Sequence, residues 1–184
     1  MVAAMAATAD IQRLIGDLAR EGTVVSVDGG TARVQFADDL TTGDIPWLCP
    51  RAGKTRVWSP PSVGEQVAVL CPESDTARGI IIGSLSSDAH PHAAQDGSTR
   101  IDFEDGSWFA YDPVSGDLTG VVTGKISLTA PGGIRLVGPV IIEGDVDLKG
   151  AMIASDDVVA AGKSLKSHTH TGVQAGAAIS GPPK

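Results

Sequence analysis

The spacing of apolar residues changes character several times along this chain. Between Ala7 and Arg20, Ile11, Leu14, Ile15 and Leu18 recur at i, i+3, i+4 and i+7, which predicts a short amphipathic helix. Thr8 or Asp10 would cap it, and Gly22 follows it. From Gly22 to Leu85 the spacing shortens to that of strands: Thr23–Val27, Thr31–Phe36, Ile45–Leu48, Thr55–Trp58, Gly64–Leu70 and Gly79–Leu85. Asp28-Gly29-Gly30 is a hairpin turn between the first two, and Asp38 to Asp44 reads as a polar loop. Short strands so closely set predict a small closed or nearly closed barrel of the oligonucleotide/oligosaccharide-binding (OB) type. Ser86 to Thr99 has no strand pattern and reads as a boundary. Beyond it, Arg100–Phe103 and Ser107–Tyr111 flank Glu104-Asp105-Gly106, a hairpin signal, and a further strand begins near Asp117.

A different regime starts near Gly124. Ile126, Leu128, Ala130, Ile134, Leu136, Val140, Ile142, Val146, Leu148 and Met152 all fall on even positions. Lys125, Ser127, Thr129, Arg135, Glu143, Asp145, Asp147 and Lys149 fall on odd ones. Glycine recurs at 132, 138, 144 and 150, giving a six-residue unit of the form Gly-x-apolar-x-apolar-x. A fixed period marks repeat architecture. One such strand has a single thin apolar face and must find partners. A chain coiled on itself would need more hexads than these to bury a core. Three chains wound round one another, each giving one face to a shared core, suit a repeat this short.

The domain reading is therefore an N-terminal helix (1–21), an OB-fold barrel (22–86), a linker (87–99), a β-hairpin neck (100–122), a triple-stranded β-helix (123–163) and a tip (164–184). The fold class is all-β: an OB-like barrel followed by a trimeric intertwined β-helix with a metal-capped tip, plus the short helix. Composition agrees. The 184 residues include 23 Gly and 11 Pro, and only 4 % are aromatic, which suits thin β structure better than one thick core. The net charge of −8 disfavours a nucleic-acid partner, even though Trp47 and Trp58 on a barrel could stack bases. Both tryptophans are expected in the core. Cys49 and Cys71 read as small buried hydrophobes, and their spacing leaves open whether they pair. The N-terminus lacks a basic region and an apolar core of signal-peptide type, and no stretch reaches membrane-spanning length, so a protein synthesised in the cytoplasm is expected.

Candidate chemistry lies in the four histidines. His90 and His92 flank Pro91 in the linker and read as solvated. His168 and His170, one residue apart in Ser167-His-Thr-His-Thr-Gly172, would face one way in an extended stretch. On a three-fold axis, two histidines from each of three chains make six imidazoles. Imidazole suits iron, nickel, zinc and copper, but zinc prefers four ligands. Six neutral nitrogens fit an octahedral first-row ion, iron(II) foremost. With every position filled, the metal would be structural. The carboxylate neighbours Glu104-Asp105 and Asp156-Asp157 face opposite ways in a strand and read as surface or turn residues.

These features together resemble the baseplate assembly protein V family, the central spike of contractile-tailed phages and tailocins. The resemblance rests on Gly22–Asp28, Arg33-Val34, Trp47-Leu48, Arg56-Val-Trp58, Pro61–Pro72 and Gly79–Ser84 in the barrel. Further on it rests on Asp105-Gly-Ser to Tyr111-Asp112 and on Ser164–Gly176, where His-x-His resembles the family's iron-binding tip. It implies a homotrimer seated by its barrel on the tail hub, among other baseplate components. On sheath contraction its point would pierce the host outer membrane without inserting as a transmembrane protein, and the spike would plug the tube hub until genome ejection. It also implies iron at the trimer axis and further ions such as calcium and chloride inside the needle, with no residues assigned to the latter. The expected location is the virion tail baseplate or a tailocin particle.

No nucleophile triad or paired acid and base is legible, so no enzyme is expected. The readings set against the spike are a hexapeptide-repeat acyltransferase, which needs more coils and a catalytic histidine in a cleft, and a glycan-binding tail module, which needs exposed aromatics that the C-terminal half lacks.

Overall fold

The computed structural model describes residues 15–169, 171, 172 and 176. The chain divides into two compact units, residues 1–127 and 128–184.

The first unit opens on a five-stranded antiparallel sheet. Its strands are β1 (Ala19–Asp28), β2 (Thr31–Ala37), β3 (Leu40–Thr41), β4 (Gln66–Leu70) and β5 (Ile80–Leu85), in the order β3-β2-β1-β4-β5. The segment after β3 closes the sheet on itself. Ile45 exchanges both backbone hydrogen bonds with Ala32 of β2 at 2.9 Å. Three residues on, Leu48 N–H donates to the Ile81 carbonyl of β5 at 2.8 Å, and Ile81 N–H donates to the Pro46 carbonyl at 3.0 Å. One stretch thus bridges both flanks, which removes the open edges that an isolated sheet would present.

Alternation decides what lies inside. Along β4 the buried residues are Val67 and Val69, with Gln66, Ala68 and Leu70 only part-covered. With Val24, Ala32, Val34, Ile45, Cys71 and Ile81 they form the core, and Val27, Phe36 and Trp47 pack against it. Gly22 sits where no side chain fits, since a Cβ there would lie 2.6 Å from Val34 Cγ1 and 2.7 Å from the Gln35 carbonyl. Thr42 is buried and stands in for a ladder bond: its hydroxyl accepts from Val34 N–H at 2.9 Å.

Several sequence expectations change here. β1 reaches back to Ala19, which pairs with Leu70, so the predicted helix cannot extend to Arg20. Ile15 and Gly16 are helical, and the rest of the predicted helix, 7–14, lies outside the described residues. The loop expected at Asp38–Asp44 contains the short strand β3. The stretches 45–48 and 55–58 are isolated bridges rather than strands, because Pro46, Pro50, Pro60 and Pro61 withdraw backbone donors from any ladder there. Trp47 does pack on the core, but Trp58 is 68 % exposed and meets Trp47 with ring centroids 5.4 Å apart. Cys71 is buried, Cys49 is half-buried, and both are free thiols.

The linker is more ordered than its composition predicts. Ser87 and His90 exchange backbone hydrogen bonds at 3.0 and 3.1 Å, and His92 Nε2 lies 3.0 Å from the Ser86 hydroxyl. The neck is a three-stranded sheet of β6 (Thr99–Asp102), β7 (Trp108–Tyr111) and β8 (Leu118–Val121), one strand more than a hairpin. Asp105 fastens its first turn to its last strand. One carboxylate oxygen accepts Ser107 N–H at 2.8 Å, and the other accepts the Ser107 and Thr123 hydroxyls at 3.0 and 2.9 Å. These donors, the Ser107 amide first, hold the carboxyl below its usual range.

The second unit contrasts with the first. Among the described residues, the backbone of 128–157 makes one backbone hydrogen bond, from Gly133 N–H to the Ala130 carbonyl at 2.9 Å. Leu128, Ile134, Leu136, Val140, Ile142, Val146, Leu148 and Met152 are all exposed, Leu136 at 70 %. The apolar residues of the opposite parity, Val137, Ile141 and Ile153, are more exposed still. The six-residue period reappears in the backbone: Gly138, Gly144 and Gly150 have φ of +126°, +134° and +147°. At the head of the repeat the positive angle falls on Gly133, not Gly132, so the first predicted unit is out of phase with the rest. Regular structure resumes in a minimal hairpin of β9 (Val159–Ala160) and β10 (Lys163–Ser164), turned by Ala161 and Gly162 at φ +47° and +77°. Positive φ at both central residues is the turn whose twist matches paired strands.

Candidate metal centre at the tip

The hairpin β9–β10 is too short to hold itself by ladder bonds alone. Asp157 completes it from below. Its Oδ1 accepts Val158 N–H at 2.8 Å and Lys166 N–H at 3.1 Å, so one oxygen joins the two ends of the hairpin. Leu165 N–H donates to the Val158 carbonyl at 3.0 Å. The Ser164 hydroxyl is the first cause, ahead of these amides, of a carboxyl held below the ordinary range. The neighbouring Asp156 turns to Lys166 Nζ at 3.0 Å. The adjacent carboxylates therefore do separate jobs, as expected of a turn and not of an acid–base pair.

Ser164 is where the hairpin meets the histidine motif. Its hydroxyl accepts Ser167 N–H at 2.8 Å, a local turn of the kind serine favours. Its carbonyl accepts His168 N–H at 3.2 Å and lies 2.9 Å from His168 Nδ1. A carbonyl oxygen has no proton to give, so Nδ1 carries the ring hydrogen and Nε2 carries the lone pair in the neutral ring. That is the pattern of a metal-binding imidazole whose other nitrogen is oriented by a backbone carbonyl. The ring lines a cavity of about 380 Å3 together with Lys163, Leu165 and Thr169.

His168 thus fits a metal by tautomer and by placement. His170, the other predicted ligand, lies outside the described residues. Among the described residues of one chain, no three His, Cys, Asp or Glu groups come together as a metal site. His90 and His92, read from the sequence as solvated, are exposed as expected but engaged in the linker contacts above. Sequence reasoning put Ser164 in the tip without giving it a role, and read Asp157 only as a surface or turn carboxylate. The available signal was a carboxylate just ahead of a short Val-Ala-Ala-Gly turn, a place where free amides need an acceptor.

Two segments of the chain match known families. Residues 20–85 match the Type VI secretion system/phage-baseplate injector OB domain. Residues 164–184 match the GpV Apex motif. A spike protein of Escherichia phage P2 is 34 % identical over 137 residues, which is 72 % of this chain and 64 % of that protein. The two segment matches and the similarity to that spike protein together support the phage-baseplate spike family. The closed barrel described above coincides with the injector OB match, and the Ser164–His168 turn opens the apex match. The alternating segment between the two matches falls outside both, so its role rests on its own chemistry. The match spans just under two thirds of the relative's length.

Proposed function

We propose that this chain is the central spike of a contractile-tail baseplate, a homotrimer that acts mechanically and not as an enzyme. One observation carries the reading: a long alternating segment with exposed apolar side chains and scarcely any backbone hydrogen bonds of its own. Unpaired backbone and uncovered apolar surface are both costly. Three copies wound together would pair the one and cover the other, with the glycines of positive φ marking the bend at each repeat. Such a closed β-helix has few free edges and is stiff along its axis.

In this reading the barrel end sits on the tail hub and plugs the tube, and the tip leads through the host outer membrane when the sheath contracts. His168 and His170 of three chains would hold one iron(II) in six-coordinate nitrogen. The metal supplies a crosslink between chain ends, where the inward side chains have dwindled to Ala154, Val158, Ala160 and Gly162. Calcium and chloride inside the needle remain part of this proposal without assigned residues. The particle is a virion tail or a tailocin, assembled with other baseplate components.

The test is a solution mass combined with a metal assay. The reading expects the mass of three chains and one iron per trimer, lost when His168 and His170 both become Ala. A single-chain mass at micromolar concentration would overturn the trimer. A trimer without metal, unchanged by the double substitution, would overturn the tip site alone.

A further inference from the structure

We propose that Asp157, outside the apex match, is a positioning residue for the metal site, acting through Ser164 to fix the ring of His168. The proposal rests on the metal-capped tip proposed above.

The geometry forms a short relay. Asp157 joins Val158 N–H and Lys166 N–H through one oxygen, at 2.8 and 3.1 Å, and so clamps both ends of the β9–β10 hairpin. Within that clamped hairpin the Ser164 Oγ accepts Ser167 N–H at 2.8 Å and the Ser167 hydroxyl at 2.8 Å. With 164 and 167 locked in one turn, the Ser164 carbonyl meets both His168 N–H and His168 Nδ1. Every link is a hydrogen bond onto an exposed segment that has no packed core to orient it. The hairpin strands are two residues each, so without Asp157 little else would keep Ser164 in place. A ligand ring is useful only if its lone pair is held in direction, and outer contacts of this kind typically govern about 10- to 100-fold in metal affinity.

The chain distinguishes this role from simple charge. Asn at 157 keeps an oxygen that can accept from Val158 and Lys166 while losing the negative charge. Ala loses both. If orientation is what matters, Asn should retain function and Ala should not.

The experiment uses full-length wild type, Asp157→Ala, Asp157→Asn and Ser164→Ala. Each is titrated anaerobically with iron(II), and the metal-free protein is read by long-range 15N–1H correlation for the His168 tautomer. The expected result is about a 10- to 100-fold loss of iron affinity in Asp157→Ala and in Ser164→Ala, with His168 moving from the Nδ1–H form to a tautomer mixture. Asp157→Asn should stay within about threefold of wild type. Ser164→Ala breaks the relay one link later, with the Asp157 amide contacts left in place, so it decides the matter if Asp157→Ala fails to fold. Unchanged affinity and tautomer in Ser164→Ala, or in Asp157→Ala, would overturn the proposal. Wild type that binds no iron, yet whose His168 tautomer still depends on Asp157 and Ser164, would overturn the metal reading and leave the positioning role standing.

Discussion

The barrel and the repeat are built from the same β-type alternation and reach opposite ends. In β4, alternation buries Val67 and Val69, because the strand has neighbours on both sides and the sheet closes over them. In 128–157, equally regular alternation leaves Leu136, Ile142 and Leu148 in solvent. The difference lies in the backbone. Turns such as Asp28-Gly29-Gly30 bring successive barrel strands side by side, so each chain segment meets another of the same chain. The repeat has glycines of positive φ every six residues but no hairpin to return the chain on itself. An apolar stripe is only a demand for a partner, and connectivity decides whether that partner is the same chain.

The sharpest way to break this comparison is to charge the stripe. Leu136→Asp would place three carboxylates around one axis in the proposed trimer, each costing several kcal/mol to bury. Sedimentation should then show single chains whose barrel circular dichroism is intact. A trimer of normal stability would mean that the stripe faces solvent in the assembly too. The counterpart in the barrel is Ile45→Ala. Ile45 is fully buried where the barrel closes, so about 2–5 kcal/mol of barrel stability should be lost by chemical denaturation, with the trimer mass unchanged.

Glycine substitutions sharpen the contrast in backbone. Gly144→Ala forces a side chain onto φ +134° and should cost about 1–3 kcal/mol in each chain, seen as a lower melting temperature of the assembled protein. Gly124→Ala, with open space around it and no positive φ, should stay within about 0.5 kcal/mol.

A smaller effect is expected at the neck. The carboxyl of Asp105 is held below its ordinary range by the Ser107 amide, then by the Thr123 and Ser107 hydroxyls. A lowered folded value means that its contribution is complete above the unfolded carboxylate pKa of about 3.9 and is lost as pH falls through the folded value. Protection of the Ser107 and Thr123 amides from hydrogen exchange should therefore drop below about pH 4, and the drop should vanish in Asp105→Asn. Smallest of all is the exposed ion pair of Arg33 Nε and Asp44 Oδ1 at 2.7 Å. Asp44→Asn should leave the barrel melting temperature unchanged at physiological salt, because water and ions screen such a pair.

Much of the fold was legible because alternation and turn chemistry are local. The strands at 23–27, 31–36 and 66–70 follow from residue types a few positions apart. The misread segments have a common cause. Thr55–Trp58 has strand composition, yet the flanking prolines and the tight Ala52–Arg56 bridge keep it out of any sheet. Ala19 and Arg20 fit a helix by periodicity, but pairing with Leu70 and Val69 claims them for β1. In each case a distant strand or a missing donor outweighed a local preference.

The sequence by itself determined where apolar faces lie, where the chain turns, the six-residue period and the presence of a His-x-His motif, since all of these are properties of near neighbours. Only the tertiary structure decided which strand closes the barrel, that Trp58 stays outside the core, that Asp157 ties the two ends of the last hairpin, and that the Ser164 carbonyl meets His168. Those facts depend on contacts between residues far apart in sequence, or on which of several acceptors a free amide finds. For the histidine motif, composition named the ring, and the Ser164 carbonyl chose which of its nitrogens carries the lone pair.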